Sequence, residues 1–261
     1  MDLDLTGKRA YVCGSSQGIG KACALELAAL GANITLVARS EELLLQVLNE
    51  LPNNGQDHNL ICADFDKPKE LKEQMDQYLK SNPKAHILVN NTGGPPGGRA
   101  IDADLEEFRI AFNRHLICNQ IMAQSLVPFM KEVNFGRIIN IISTSVKSPL
   151  NGLGVSNTIR GGVANWSKTL ANELGGFGIT VNNVLPGATA TARLESIIAN
   201  KSRKLQRSMD DVSAEMINEI PAGRFAEASE IASAVSFLAS PSAAYINGVN
   251  LPVDGGRLGC L

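Results

Sequence analysis

The segment Cys13-Gly14-Ser15-Ser16-Gln17-Gly18-Ile19-Gly20 sets three glycines between a short apolar run and a stretch of helical period. Glycines spaced this way let the main chain turn tightly and approach a pyrophosphate, whose charge then rests on the positive end of the following helix. The cluster alone fits a structural turn with close helix packing equally well; its strand-turn-helix context and the second strand-helix unit behind it point to a dinucleotide site. A second informative position closes the next apolar run, Val37-Ala38-Arg39-Ser40. An NAD(H) site usually places a carboxylate there for the ribose 2′-hydroxyl, whereas a 2′-phosphate is repelled by that carboxylate and attracted by a guanidinium. Ala38 offers no carboxylate and Arg39 offers the fork beside Ser40, so NADP(H) is favoured over NAD(H). The alternative for Arg39 is a solvated arginine opening the next helix.

Such loops need a scaffold, and the apolar pattern supplies one. Short β-branched runs at 9–13, 34–38, 60–63 and 87–90 alternate with segments of helical period at 18–30, 41–51 and 69–79. Runs at 137–143 and 180–185 repeat the strand pattern, with a long helical segment at 155–174 between them. Parallel strands need a crossover helix to return the chain, so this order predicts an α/β Rossmann fold: a doubly wound, mostly parallel sheet with helices on both faces. Ligands of such sheets bind outside the carboxyl ends of the strands.

With 261 residues, 44% of them hydrophobic, the chain can bury one large core, and no linker or internal repeat divides it; a single domain over 1–261 is expected. Lys and Arg number 24 against 26 Asp and Glu, a net charge of −2 without the basic excess that a nucleic-acid backbone demands. The acidic start and the lack of any apolar run of about eighteen residues predict no signal peptide, no membrane span and a cytoplasmic location. The five cysteines, Cys13, Cys23, Cys62, Cys118 and Cys260, are scattered without disulfide or metal-ligand spacing and read as reduced, mostly buried thiols; no metal site is expected.

The glycine loop resembles that of the short-chain dehydrogenase/reductase family, Thr-Gly-x3-Gly-x-Gly, with Cys13 in place of the threonine. The resemblance extends over nearly the whole chain through Asp64, Asn90-Asn91-Thr92-Gly93, Pro186-Gly187 and Val253-Asp254-Gly255-Gly256, each in its expected order. It implies that Asp64, with Phe65 after it, contacts the adenine. It also implies that Asn90, Asn91, Thr92 and Gly93 lie under the cofactor and steady the sheet. Pro186 and Gly187 would line the nicotinamide pocket, and Thr189 and Thr191 follow, Thr191 on the carboxamide.

Members of the family reduce carbonyls with an Asn-Ser-Tyr-Lys tetrad. Aligning Gly136-Arg137-Ile138-Ile139-Asn140-Ile141-Ile142-Ser143 with the family pattern puts the carbonyl-polarising serine at Ser143. The tyrosine position then holds Ser156 and the lysine position Arg160, while the asparagine falls at His115, with Asn113 a poorer match. A serine hydroxyl is far too weak an acid to replace a phenol whose pKa near 10 is lowered further by a cation. The three tyrosines, Tyr11, Tyr78 and Tyr245, fall elsewhere. His115 could donate a proton or be a structural histidine; Lys147, just after Ser143, could do so or be solvated. Arg160 could hold the ribose hydroxyls or form a salt bridge, but it cannot shuttle a proton.

The loop Gly93-Gly94-Pro95-Pro96-Gly97-Gly98-Arg99 is open between shaping a substrate mouth, with Gly94 as a contact, and serving as a plain turn. Arg193 is open between binding an anionic substrate group, a carboxylate or a phosphopantetheine, and lying on the surface. Residues 190–222 correspond to the family's mobile substrate-covering lid. Three functions follow: an NADP(H)-dependent reductase resembling the 3-oxoacyl-carrier-protein reductase branch, acting on an acyl thioester or small ketone; a dinucleotide-binding sensor or partner subunit with little dehydrogenase activity; or a lyase or isomerase using His115. The resemblance also implies a homotetramer, with the apolar segment 249–253 and the uncharged end 258–261 suited to an interface.

Overall fold

The computed structural model describes residues 1–260, so Leu261, in the expected interface segment, lies outside the described residues. Among the described residues there are seven strands: β1 (Arg9–Cys13), β2 (Asn33–Ala38), β3 (Asn59–Cys62), β4 (Ile87–Asn90), β5 (Gly136–Ile141), β6 (Ile179–Pro186) and β7 (Asn250–Val253). They form one sheet in the order β3-β2-β1-β4-β5-β6-β7, and every neighbouring pair is parallel. Winding reverses between β1 and β4, which opens a crevice at the carboxyl ends of those two strands.

Both faces of the sheet are covered, so its strands read as continuous apolar runs. In β1, Ala10 and Val12 face one core and Tyr11 and Cys13 the other, as the two-residue period of a strand requires. The first core is closed by α1 (Gly18–Ala29), α2 (Glu41–Glu50) and α9 (Ala228–Ala239). The second is closed by α3 (Pro68–Ser81), α5 (Cys118–Glu132) and α6 (Gly154–Leu174). Cys13, Cys23 and Cys118 are buried in these cores, and burial pushes the Cys23 thiol up to about 12. Helix α4 (Leu105–Phe112) runs into α5 through a π-helical turn at Asn113–Ile117. Arg114 in that turn pairs with Asp66 after β3, which ties the widened turn to the sheet edge.

A row of asparagines crosses the carboxyl half of the sheet. Asn90 Nδ2 donates to Asn140 Oδ1 at 2.9 Å, Asn140 Nδ2 to Asn183 Oδ1 at 2.9 Å, and Asn183 Nδ2 to Asn250 Oδ1 at 2.8 Å. Strand pairing sets these residues directly opposite one another, so each amide supplies the partner its neighbour needs inside an apolar sheet. The open end of the row is the buried Asn90 Oδ1, which has no partner.

Several boundaries differ from the apolar pattern. β5 ends at Ile141 rather than Ser143: Ser143 keeps extended angles, φ −165° and ψ 151°, but the chain turns there into a short helical turn at Thr144–Val146. Helix α9, unassigned above, is rich in alanine and serine and packs on the small residues of α1. The expected lid contains two helices, α7 (Ala192–Leu205) and α8 (Met209–Asn218), whose Leu194, Ile198 and Val212 share a small core with Ala188, Met216 and Phe225.

Replacing Asn140 by Ala strips partners from both Asn90 and Asn183. The expected loss is about 1–3 kcal/mol for each stranded group, read as a lower urea midpoint with an unchanged transition slope.

Candidate active site

The phosphate loop is built around close main-chain contact. Gly14 and Gly18 have φ of +60° and +55°, and a Cβ on Gly20 would lie 2.1 Å from the Gly14 carbonyl oxygen. Asn91 Nδ2 closes the loop onto the end of β4 by donating to the Cys13 and Gly14 carbonyls, each at 3.3 Å. Ser15 is fully buried, and its Oγ accepts from the Val37 amide at 3.0 Å; it ties the loop to β2. Ser16 and Ile19 are half-buried and Gln17 is exposed. Gln17 precedes α1 in an extended conformation without a side-chain cap, and no acid stands in the first turn. The first amides of α1 are therefore left for an anion. Gly18 lies against Thr191, whose methyl would be 3.4 Å from a Cβ there.

At the other end of the crevice, Arg39 is exposed after β2, and Ser40 caps α2 by accepting from the Leu43 amide. Asp64 is half-buried, with Oδ1 accepting from the Asp66 amide, and Phe65 is buried beneath it. Around Arg39, Ala38 is buried and offers no acid. A cradle that admits only glycine, an uncapped helix start and a strand end without an acid, followed by a guanidinium that makes no ion pair among the described residues, fit a dinucleotide bearing a 2′-phosphate.

Beyond β4 and β5 a narrow cleft is lined by Asn90, Asn91, Thr92, His115, Asn119, Ile141, Ile142, Arg160 and Val163. His115 is 2% exposed and its Nε2 has no partner. Burial, then the charges of Arg160 and Arg114, push its pKa well below the usual histidine value, against a weaker opposing contact with the Gly93 backbone. The ring is neutral at pH 7, so it serves as a relay or hydrogen-bonding group and not as a cationic acid. Asn119, one helical turn along and buried, is a cleft residue that motif spacing did not single out. The π turn, which rotates this stretch of helix, has no sequence signature.

Arg160 is 8% exposed; its Nη1 donates to the Ile141 carbonyl at 2.7 Å and its Nε has no partner. Burial and then Arg193 lower its pKa to about 10, which leaves it charged. Ser156, four residues earlier on α6, and Ser143, one residue past Ile142, are half-buried and flank the cleft without lining its narrow part. Ser143 Oγ accepts from the Ser145 amide at 3.1 Å, which fixes the hydroxyl and leaves its proton free to donate. Lys147 ends the turn after Ser143 and is half-buried. Tyr11 and Tyr78 pack edge to face at the second core, Tyr11 donating to the Lys84 carbonyl, and Tyr245 is fully exposed. None of the three tyrosines enters the cleft.

The glycine-proline loop is fastened on two sides. The Gly98 amide donates to the Gly152 carbonyl at 2.7 Å and the Gly154 amide to the Gly98 carbonyl at 2.9 Å, which staples it to the start of α6. On the other side Arg193 Nη2 donates to the Pro95 carbonyl at 2.8 Å. The loop thus bridges α6 and α7, with Gly94 beside both arginines. After β6, the Gly187 amide bonds the Val253 carbonyl, and a Cβ on Gly187 would meet the Asp254 main chain at 2.8 Å. Thr189 is buried and Thr191 precedes α7, which brings the segment from Pro186 to Thr191 back to the phosphate loop.

A family profile described as enoyl-(acyl carrier protein) reductase matches residues 14–257. The 3-oxoacyl-(acyl-carrier-protein) reductase FabG of Haemophilus influenzae is 35% identical over 254 residues, 97% of this chain and 98% of that protein. Its Escherichia coli counterpart is 34% identical over 256 residues, with the same two shares. Among solved structures, L-sorbose reductase from Gluconobacter frateurii, complexed with NADPH and L-sorbose, superposes with a TM-score of 0.93 at 30% identity over the full length of both chains. YwfH, an NADPH-dependent reductase involved in bacilysin biosynthesis, gives 0.92 at 26% identity, covering 97% of this chain and 99% of its own.

Two outcomes follow from this geometry. Gly20→Ala drives a methyl into the Gly14 carbonyl and is expected to cost about 1–3 kcal/mol, with loss of dinucleotide binding; unfolding and nucleotide titration check both. The unfolded chain binds a proton at His115 below about pH 6.5 while the folded chain does not, so the stability of the neutral ring is complete above that pH and lost as pH falls. His115→Asn should flatten the stability-pH curve below pH 6.5 by about 1.4 kcal/mol per pH unit, leaving the slope due to His86, whose pKa burial lowers to about 4, and, at more acid pH, to paired carboxylates such as Asp66 and Glu230.

Proposed function

The chain belongs to the short-chain dehydrogenase/reductase family, and from that premise we propose that it is an NADP(H)-dependent oxidoreductase that reduces a carbonyl, a 3-oxoacyl thioester or another small ketone, without the family's tyrosine. The observation that carries the cofactor choice is the strand end at Ala38-Arg39, where a guanidinium stands and an acid does not. NADPH-linked solved relatives support it.

When bound, the nicotinamide supplies a hydride to the carbonyl carbon. The chain's own part is to hold, orient and protonate. The glycine loop and the first amides of α1 take the pyrophosphate, with Ser15 and Asn91 keeping the loop in shape. Arg39 and Ser40 take the 2′-phosphate, Asp64 and Phe65 border the adenine, and Pro186, Gly187, Thr189 and Thr191 border the nicotinamide. Ser143, its oxygen fixed by the Ser145 amide, donates to the carbonyl oxygen where negative charge develops. Neutral His115, with Ser156 and Asn119 nearby, passes a solvent proton to that oxygen, and Arg160 holds the cleft positive.

Ser156 and Arg160, standing where the family has tyrosine and lysine, favour a second reading: a protein that binds the dinucleotide as a sensor or partner subunit and turns nothing over. Assembly as a homotetramer accompanies either reading. It rests on the family resemblance and on exposed Leu105, Ile110 and Phe112 of α4, and light scattering checks it.

NADPH is expected to bind more tightly than NADH by about 10- to 100-fold, the worth of a charge-assisted pair. Arg39→Ala should erase that preference, followed through nicotinamide fluorescence; equal affinities in the wild type would overturn the cofactor choice. Ser143→Ala should lower kcat by roughly 100-fold or more with NADPH affinity unchanged. NADPH that binds but is never consumed would instead establish the second reading.

A further inference from the structure

Two guanidinium groups converge on Gly94, and among the described residues no acid pairs with either. A Cβ on Gly94 would lie 3.7 Å from Arg193 Nη2 and 3.8 Å from Arg160 Nη2, so the space that glycine leaves empty is within reach of both. Eleven ion pairs join other residues, but among the described residues no carboxylate lies within 4.0 Å of Arg160 or Arg193. For exposed Arg193 that is ordinary; for Arg160, more than nine-tenths buried with an unpartnered Nε, it is not. A buried cation without a counter-charge is unfavourable unless an anion arrives to complete it. Arg193 adds a second anomaly. It sits in the first turn of α7, where the helix dipole disfavours a cation, yet its side chain is held over the loop by the Pro95 carbonyl.

We propose that Arg160 and Arg193 form the binding site for a carboxylate carried by the substrate, which makes the substrate an oxo acid. The inference rests on the carbonyl-reductase reading above. A carboxylate suits the site better than the phosphate of a pantetheine arm, because Arg160 lines the same narrow cleft as His115 and Asn119. An anion held there is only a few bonds from the reacting carbonyl, whereas a pantetheine phosphate ends far from its thioester. The cofactor's phosphates are the other sources of negative charge, and in the reading above the uncapped start of α1 serves the diphosphate and Arg39 the 2′-phosphate. Gly94 is then a specificity device: its missing side chain leaves room for the carboxylate, and Pro95 fixes the arginine that closes over it.

The test separates the site from the reaction. Wild-type protein loaded with NADP+ is titrated calorimetrically with 2-, 3- and 4-oxopentanoate and with their methyl esters. Binding of at least one acid, with its ester weaker by about 10-fold or more, is expected. Arg193→Gln and Arg160→Gln should each weaken that acid by roughly 10- to 100-fold, and Arg193→Gln should change NADPH affinity by less than about 3-fold. Gly94→Val should weaken the acid as well, by filling the space. Esters that bind as well as acids, or no acid bound at millimolar concentration, would overturn the carboxylate site. So would an Arg193→Gln variant that loses NADPH and acid alike, which would place the cofactor's phosphates there. If Arg160→Gln does not fold, Arg193→Gln and the acid-ester comparison in the wild type still decide. Reduction is followed separately by NADPH oxidation: acid bound without oxidation refutes the reductase and leaves the carboxylate site standing.

Discussion

The site depends on how closely the phosphate loop lies against the end of β4. Gly20 and Gly14 approach so nearly that one methyl group would collide with a carbonyl oxygen, and the side chain of Asn91 occupies the remaining gap, donating to two loop carbonyls. That contact joins the end of β1 to the end of β4 at the point where the sheet reverses its winding, so the glycine loop and the strand that borders the cleft are tied directly to each other. The asparagine row continues the bracing from Asn90 through Asn140 and Asn183 to Asn250. A polar line through an apolar sheet is tolerable only because each amide meets another.

On this frame the charges are arranged without their usual partners. Other arginines pair in ordinary ways, exposed Arg224 with Glu230 and buried Arg9 with Asp57. Among the described residues, the arginines around the crevice, Arg39, Arg160 and Arg193, have no carboxylate within ion-pairing distance, and the histidine that lines the cleft is held neutral by burial and by the nearby cations. An enclosure of this kind attracts anions and discourages proton donation by an imidazolium. It is a coherent setting for stabilising an alkoxide that forms beside a carboxylate, and a poor one for acid chemistry that depends on a charged histidine.

How much of this was legible in the sequence followed the range of the interaction. The glycine loop, the alternation of strands and helices along the chain and the missing acid after β2 are local, expressed by neighbouring residues, and the glycine spacing marks the loop directly. The absence of tyrosine from the cleft was also legible, since Tyr11, Tyr78 and Tyr245 fall in the first strand, an outer helix and the C-terminal region. The asparagine row escaped notice because its members come from four separate strands and only strand register aligns them. Asn119 enters the cleft because a π turn rotates the helix, a feature with no residue signature. The end of β5 was overrun by two residues because Ser143 is extended in angle but lies past the sheet. The meeting of Arg160 and Arg193 at Gly94 depends on a loop stapled by Gly98 to Gly152 and Gly154, contacts that span more than fifty residues.

The most direct test of hydride transfer in this altered site is isotopic. NADPH carrying deuterium at the 4-position, as each stereoisomer, is incubated with the protein and a set of carbonyls comprising the oxopentanoates and an acetoacetyl thioester, and the alcohols are analysed by mass spectrometry and NMR. The account predicts that one stereoisomer alone delivers its deuterium to the carbinol carbon of a hydroxy acid formed from an oxo acid, and that Ser143→Ala slows the transfer by roughly 100-fold or more. Tight NADPH binding with no label in any alcohol would contradict it, and would assign the chain a dinucleotide-binding role without reduction.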